Sequence, residues 1–361
     1  MKSRKVLFSG YYGFGNTGDE AILQASVEGI KKAGLIPMAL SHTPEKTSSW
    51  LNIETFDRKK LGGIFGGIGK SELVLSGGGG LLQDVTSLKS LIYYLRIPFL
   101  AKCLRKKTMI FAQGIGPIQT KRGKFYTKLV LNHFVDKITV RDQESKKLLQ
   151  ELGVRKQIDV TADMAFLLDS NLALKTDALS EKYGIKKGKC YGIVLRNWNG
   201  ISPLLPLLGK AISEFSNSMS LIPVLLSFQS SMDNGIMLTL QKEVSVPSLC
   251  ITDPLLPQEF LNIISNFEFL IGMRYHALVF SSLCRVPFGG IAYDPKVKQY
   301  AQSLNFPWIS WSDLDREKFL SLLSEVWEQR ESLKQRLNIT VPLIQTKAAE
   351  NLVEAYGLIK N

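Results

Sequence analysis

Acidic residues are scarce here relative to basic ones: 32 Asp and Glu against 45 Lys and Arg leave a formal charge of +13. That excess goes beyond what solubility requires. It suits an anionic small substrate, an anionic membrane surface or nucleic acid, and charge alone does not choose among them. Cysteine is sparse too. Cys103, Cys190, Cys250 and Cys284 form no C-x-x-C pair. Zinc sites and disulfides are therefore not expected, and the four read as buried small hydrophobes in a reducing compartment. No uncharged apolar run reaches about 18 residues, so no membrane span is expected. The start, MKSRKVLFSG, is basic and then only briefly apolar, which reads as a first strand rather than a signal peptide. A cytoplasmic protein is expected, with no internal repeat and no low-complexity tract.

What is present is patterned. With 361 residues, 45% of them hydrophobic and 21% charged, the chain holds about two domains, on the guide of ~150 residues each. Strands at Lys5–Ser9, Ile36–Leu40, Glu72–Ser76, Met109–Ala112 and Lys137–Val140 alternate with helical spacing at Asp19–Ala33, Ser87–Leu104, Gly123–Phe134 and Gln143–Leu152. A polar turn follows the second strand. The pattern dissolves between Asp169 and Gly188, then restarts with strands at Tyr191–Leu195, Leu221–Leu226, Ser248–Ile251, Phe269–Ile271 and Phe288–Ala292. Helices are expected at Asp315–Leu337 and Thr346–Ile359. This alternation predicts an α/β protein of two doubly wound, Rossmann-like domains facing a cleft, with ligands beyond the carboxyl ends of the strands. The expected divisions are an N-terminal domain over 1–170, a C-terminal domain over 189–340, and a last helix over 341–361 that could pack back on the first domain.

The stretch Phe269–Tyr300 carries the strongest site signal. Arg274 and His276 fall where a buried strand gives way to a helix, and a helix N-terminus favours an anion. Lys296 follows the next strand. The alternative is an interface ion pair for Arg274 and a satisfied core position for His276. Arg141, at the end of a strand, can fork onto a carboxylate or phosphate, or pair with Asp142 or Glu144. Glycine marks the first half. Gly13–Gly18 spells G-x-G-x-x-G, but the second strand ends Leu40-Ser41-His42-Thr43 without an acid for a ribose, and Asp19 and Glu20 would repel a pyrophosphate. Two readings remain: a tight turn, or a substrate loop presenting Asn16, Thr17 and Asp19. Gly66–Ser71 resembles a P-loop end, but Ile64 stands where its first glycine belongs, so a glycine-rich surface loop is expected. Four glycines, Gly77–Gly80, suggest a backbone that approaches a ligand closely; Gly78 and Gly79, with Asp84 and Gln113, are candidate acceptor contacts. Ser87–Lys107, apolar, aromatic and basic, covers the sheet or rests on a membrane surface. No nucleic-acid reading motif is present.

YYGFGNTGDEAIL, SGGGGLLQD, FAQGIGP, TVRDQES, ADMAF and IGMRYHALVFS occur here in the order of the polysaccharide pyruvyl transferase family, spread over most of the chain. The sequence resembles that family, and within it the bacterial cell-wall enzymes. The resemblance implies a glycosyltransferase-B type fold, phosphoenolpyruvate as co-substrate with no further cofactor and no metal, and transfer of pyruvate as a ketal. The acceptor it implies is a pair of sugar hydroxyls, commonly the 4- and 6-hydroxyls of an N-acetylmannosamine on a lipid-linked precursor. Donor-binding positions map onto Arg141, Arg274, His276 and Lys296. His276 is then the expected proton donor or phosphate-charging residue, with Arg274 beside it and Asp19 or Asp84 as the base on the acceptor. Peripheral contact with the inner membrane surface would suit such an acceptor. A nucleotide-sugar glycosyltransferase and a non-enzymatic glycan- or membrane-binding protein are the alternatives.

Overall fold

The computed structural model describes residues 4–170 and 178–360, so part of the expected linker lies outside the described residues. The chain divides into two compact units, one of Met1–Phe14, Asp19–Leu168 and Ile344–Asn361, the other of Gly15–Gly18 and Asp169–Leu343.

In the first unit the strands are β1 (Lys5–Ser9), β2 (Ile36–Ser41), β3 (Glu54–Asp57), β4 (Leu73–Leu82), β5 (Lys107–Ile115), β6 (Lys137–Val140) and β7 (Ile158–Val160). They form one parallel sheet in the order β3-β2-β1-β4-β5-β6-β7. Val6, Leu7 and Phe8 are all buried, as a strand covered on both faces requires. The second unit repeats the plan with β8 (Cys190–Val194), β9 (Ile222–Leu226), β10 (Leu249–Ile251), β11 (Phe267–Gly272), β12 (Phe288–Ala292) and β13 (Trp308–Ser310). Their order is β10-β9-β8-β11-β12-β13, again parallel. The two doubly wound α/β sheets agree with the sequence pattern.

Several local expectations need correction. The polar turn after β2 is a helix, Pro44–Leu51, begun by a proline in its first turn, where the missing N–H costs nothing. Gly66–Ser71 is no loop: Leu61–Lys70 is a helix whose Ile64 and Ile68 are buried. A Cβ at Gly67 would stand 3.1 Å from the Phe56 ring and 3.2 Å from Leu7, so glycine lets this helix lie close against the sheet. Gly77–Gly80 belong to β4 itself, which shifts register between Gly79 and Leu82 as it pairs with β5. Lys296, which follows the strand Phe288–Ala292, lies in a helix, Pro295–Ser303. The final helix is continuous from Arg330 to Lys360, through Pro342. From Ile344 on it belongs to the first unit, where Asn351, wholly buried, donates to Ala162 O (3.1 Å) and accepts from the Thr161 hydroxyl (2.8 Å). Cys103, expected inside, is exposed; Cys190 is buried, and burial pushes the thiols of Cys250 and Cys284 up to about 11 and about 12.

The glycine helix yields a paired prediction. A Cβ at Gly63 would stand 2.3 Å from the Asp57 carbonyl oxygen, whereas one at Gly66 meets only the Phe56 ring at 3.8 Å. Gly63→Ala should destabilise by about 1–3 kcal/mol, the usual range for overpacking. Gly66→Ala should stabilise by about 0.5–1 kcal/mol, the helix-propensity gain. Urea titrations of the two variants check the opposite signs.

Candidate functional site

In a doubly wound sheet the ligand crevice opens where the strand order reverses, beyond the carboxyl ends of the two strands that part there. For the second unit those strands are β8 and β11. Beyond β11 stand Arg274, which precedes the helix Tyr275–Leu283, and His276 in its first turn. Beyond β8 stand Arg196, Asn197 and Trp198. Arg274, 8% exposed, forks onto a wholly buried aspartate: Nε donates to Asp233 Oδ2 at 2.8 Å and Nη2 to Oδ1 at 2.7 Å. The same carboxylate accepts from the Asn197 backbone N–H at 3.4 Å. Asp233 therefore ties the loop after β8 to the residue after β11.

Arg196 differs from Arg274 in having no acid. Its Nη1 donates to the Tyr293 hydroxyl at 2.6 Å, and its guanidinium lies 5.1 Å from the Tyr293 ring and 5.6 Å from that of Trp198. Its buried Nε has no hydrogen-bond partner, and no carboxylate among the described residues pairs with it. Sequence reasoning missed both Arg196 and Tyr293. The visible signal was an arginine two residues past a strand followed by an exposed tryptophan. Lys296, the further cation named from the sequence, pairs with Asp294 at 3.2 Å.

His276 has a close neighbour in the Gly15–Gly18 segment of this unit. A Cβ at Gly18 would fall 2.0 Å from its Nδ1 and 2.3 Å from its Cγ, so the imidazole lies directly on the glycine. Thr17 anchors that segment: its N–H and hydroxyl both donate to Phe228 O, at 3.1 and 2.8 Å. Asn16 Oδ1 accepts from the Gly18 N–H at 3.2 Å. Through these bonds Asn16 and Thr17, both named from the sequence as acceptor contacts, shape the turn.

The first unit reverses its order between β1 and β4, where Asp19 meets the glycine run. A Cβ on Gly79 would stand 2.6 Å from Asp19 Oδ1, and one on Gly78 would hit Ile22 at 2.5 Å. Both glycines have left-handed backbones, φ 88° for Gly78 and φ 82° for Gly79, so the close approach and the conformation demand glycine together. Tyr12 donates to Gly77 O at 2.8 Å; burial, then the charges of Asp19 and Glu20, push its phenol well above the usual value.

Asp84 and Gln113, the other acceptor candidates, both bind backbone groups. Asp84 Oδ1 accepts from Gln119 N–H, and Oδ2 accepts from the N–H and hydroxyl of Thr120, at 2.8, 2.8 and 2.6 Å. Burial pushes the Asp84 carboxyl up, but these hydrogen bonds outweigh it and hold the group below the usual range. Gln113 is buried in the irregular part of β4–β5, its amide donating to Ser76 O (3.3 Å) and accepting from Leu82 N–H (3.1 Å) in the orientation that satisfies both atoms. Arg141 lies over Gly114 and pairs with Asp163, wholly buried on its side chain, at 2.9 Å and with Asp142 at 3.4 Å. A further cation, Arg58, was missed: it donates to Gly10 O and to the Tyr94 hydroxyl and lies 5.0 Å from the Phe14 ring, which stacks between Tyr11 and His42. Among the described residues no group of three or more His, Cys, Asp or Glu is placed to hold a metal ion.

A family model for polysaccharide pyruvyl transferase matches residues 16–295, a span that includes Asp19, Arg141, Arg196, Arg274 and His276. The chain belongs to the polysaccharide pyruvyl transferase family. No curated protein matches it. Among solved structures, this pyruvyl transferase family member is similar to UDP-GlcNAc 2-epimerase from Neisseria meningitidis bound to UDP-GlcNAc, with TM-score 0.69, 15% identity, and coverage of 99% of this chain and 100% of that one. It is similar also to Anabaena HepE in complex with UDP-glucose, at TM-score 0.63 and 13% identity, covering 99% of each chain. A glycosyltransferase from Rickettsia africae matches at TM-score 0.60 and 14% identity over 100% of both chains. At such identities the likeness speaks for the fold, which is of glycosyltransferase-B type.

Two predictions follow from the buried charges. Arg274→Ala strands the Asp233 carboxylate in the core and should destabilise by about 3–5 kcal/mol, as breaking one side of a buried pair does. The double variant Arg274→Ala with Asp233→Ala should lose less than the sum of the single losses in a denaturation cycle. Asp84→Asn should lower the melting temperature at neutral pH. Because the folded carboxyl titrates below its unfolded value of about 3.9, that contribution is present above this pH and is lost as pH falls through the folded value. Melts taken from neutral to acid pH should show the variant and parent converge.

Proposed function

We propose that the chain transfers pyruvate from phosphoenolpyruvate to two hydroxyls of a sugar, forming a ketal and releasing phosphate. The family match and one observation support this reading. At the second unit's switch point, Arg274 and His276 stand at the N-terminus of the helix Tyr275–Leu283 and Arg196 stands beyond the adjacent strand β8, an arrangement suited to a small dianion. A donor bearing both a carboxylate and a phosphate needs two cationic anchors. Arg274 is held rigid by Asp233, and Lys296 and Arg141 carry carboxylate partners that offset their charge. Arg196 has none, so we assign it the largest share of the attraction.

The reaction begins with a proton delivered to the methylene carbon of the donor, which makes the adjacent carbon oxocarbenium-like. One sugar hydroxyl adds there and gives up its proton. The carbon–oxygen bond to phosphate then breaks, and the second hydroxyl closes the ring with loss of its own proton. His276 is assigned the first proton, or the charging of the departing phosphate. In the first unit Asp19, set against Gly79, is the carboxylate assigned to the acceptor hydroxyls. The acceptor is proposed to be an N-acetylmannosamine reacting at its 4- and 6-hydroxyls, on a lipid-linked cell-wall precursor, as in the bacterial cell-wall branch that the sequence resembles.

Mass spectrometry of products from phosphoenolpyruvate and a panel of amino-sugar acceptors tests the reading. His276→Ala should lower kcat at least about 100-fold, the lower end for loss of a general acid. Gly18→Ala should also lower kcat, because its methyl would take the space of the imidazole. Arg196→Ala should act mainly on KM for phosphoenolpyruvate. Undiminished turnover in His276→Ala would sink the assignment. Thermal stabilisation by a nucleotide sugar but not by phosphoenolpyruvate would favour a glycosyltransferase instead.

A further inference from the structure

The first unit carries a surface that the transfer reaction does not use. The helices Leu88–Cys103 and Lys121–His133 pack side by side. Each turns one face inward: Leu91, Tyr94, Leu95 and Pro98 from the first, Thr127, Val130 and Leu131 from the second. The opposite faces are unusual for solvent-exposed helices. On the first, Lys89, Ile92 and Phe99 are exposed along one outward stripe, with Arg96 half-buried between them and laid on the Tyr93 ring at 5.1 Å. On the second, Phe125 is 60% exposed and Tyr126 and Leu129 lie beside it in the helix, with Lys121, Lys124 and Lys128 spaced along one edge.

Charge selects the occupant. Neither helix contains a single Asp or Glu over its whole length. The acid that answers one of their lysines, Asp136 opposite Lys102, lies beyond the second helix. A second copy of this chain would bring the same cations to the contact and repel. An apolar, aromatic surface ringed by long cationic side chains is complementary instead to a bilayer surface: the rings enter the headgroup boundary while the lysines reach the anionic phosphates.

We propose that this two-helix face docks the protein on a membrane surface rich in anionic lipid. The docking concerns the first unit's surface and holds whether or not the acceptor is lipid-linked. It also joins two readings of Ser87–Lys107 that the sequence left as alternatives, since one face of that helix covers the sheet and the other meets the membrane.

Sedimentation of the full chain with vesicles tests the docking. The protein should pellet with vesicles rich in phosphatidylglycerol, stay in solution with pure phosphatidylcholine, and be released by high salt. Phe125→Ser with Leu129→Ser, and separately Lys121→Glu with Lys124→Glu, should each lower the partition about tenfold or more at an unchanged melting temperature, because the four side chains are exposed. Failure to pellet with phosphatidylglycerol overturns the proposal, as does equal pelleting of parent and both variants. A concentration-dependent dimer that Phe125→Ser with Leu129→Ser dissolves would give the face to a second copy and overturn it equally.

Discussion

A buried guanidinium answered by a buried carboxylate stands at the carboxyl edge of each sheet, and both units are arranged around that pair. In the first, Arg141 at the end of β6 is answered by Asp163 just past β7; in the second, Arg274 past β11 is answered by Asp233 in the helix after β9. Each pair ties together separate crossover units at the carboxyl edge of a parallel sheet. Asp233 adds the backbone of Asn197 to the same knot. The edge is thereby rigid before any ligand arrives. Arginines whose forks are already fixed lose little freedom when an anion binds, which is the economy a preorganised site offers.

The same pairing explains what could and could not be read from the sequence. The strands β1, β8 and β11 announce themselves as short apolar runs because both faces of a parallel sheet are covered. The place of Arg274 and His276 was visible too, since a strand running into a helix is a local pattern. Their partners were not. Asp233 lies 41 residues from Arg274 and Asp163 lies 22 from Arg141, so no local spacing links them. The backbone bonds of Asp84 and Gln113 were hidden for a related reason: a polar residue near a glycine loop looks alike whether it faces a ligand or satisfies buried backbone groups. Only the tertiary arrangement shows which.

Glycine was the other source of error. As a strand and helix breaker it hid the end of β4 and the whole helix Leu61–Lys70. In both places tertiary packing outweighs propensity. Gly67 lets the Phe56 ring lie close, where a Cβ would stand only 3.1 Å away, and Gly79 admits the Asp19 carboxylate, where a Cβ would collide at 2.6 Å. The edge strands β3, β7 and β13, three or four residues each and only partly buried, were missed, whereas β10, equally short, was found.

The helix Arg330–Lys360 has a consequence for the order of assembly. Its last residues supply Asn351, which bonds to the backbone past β7, while Arg4 and Lys107 donate to the carbonyls of Ile359 and Leu358 at the same end. The first unit is thus discontinuous along the chain, although most of it precedes the second unit. During synthesis its sheet can form early, but the segment that completes it leaves the ribosome only after the whole second unit has been made. The domain translated first is the one finished last.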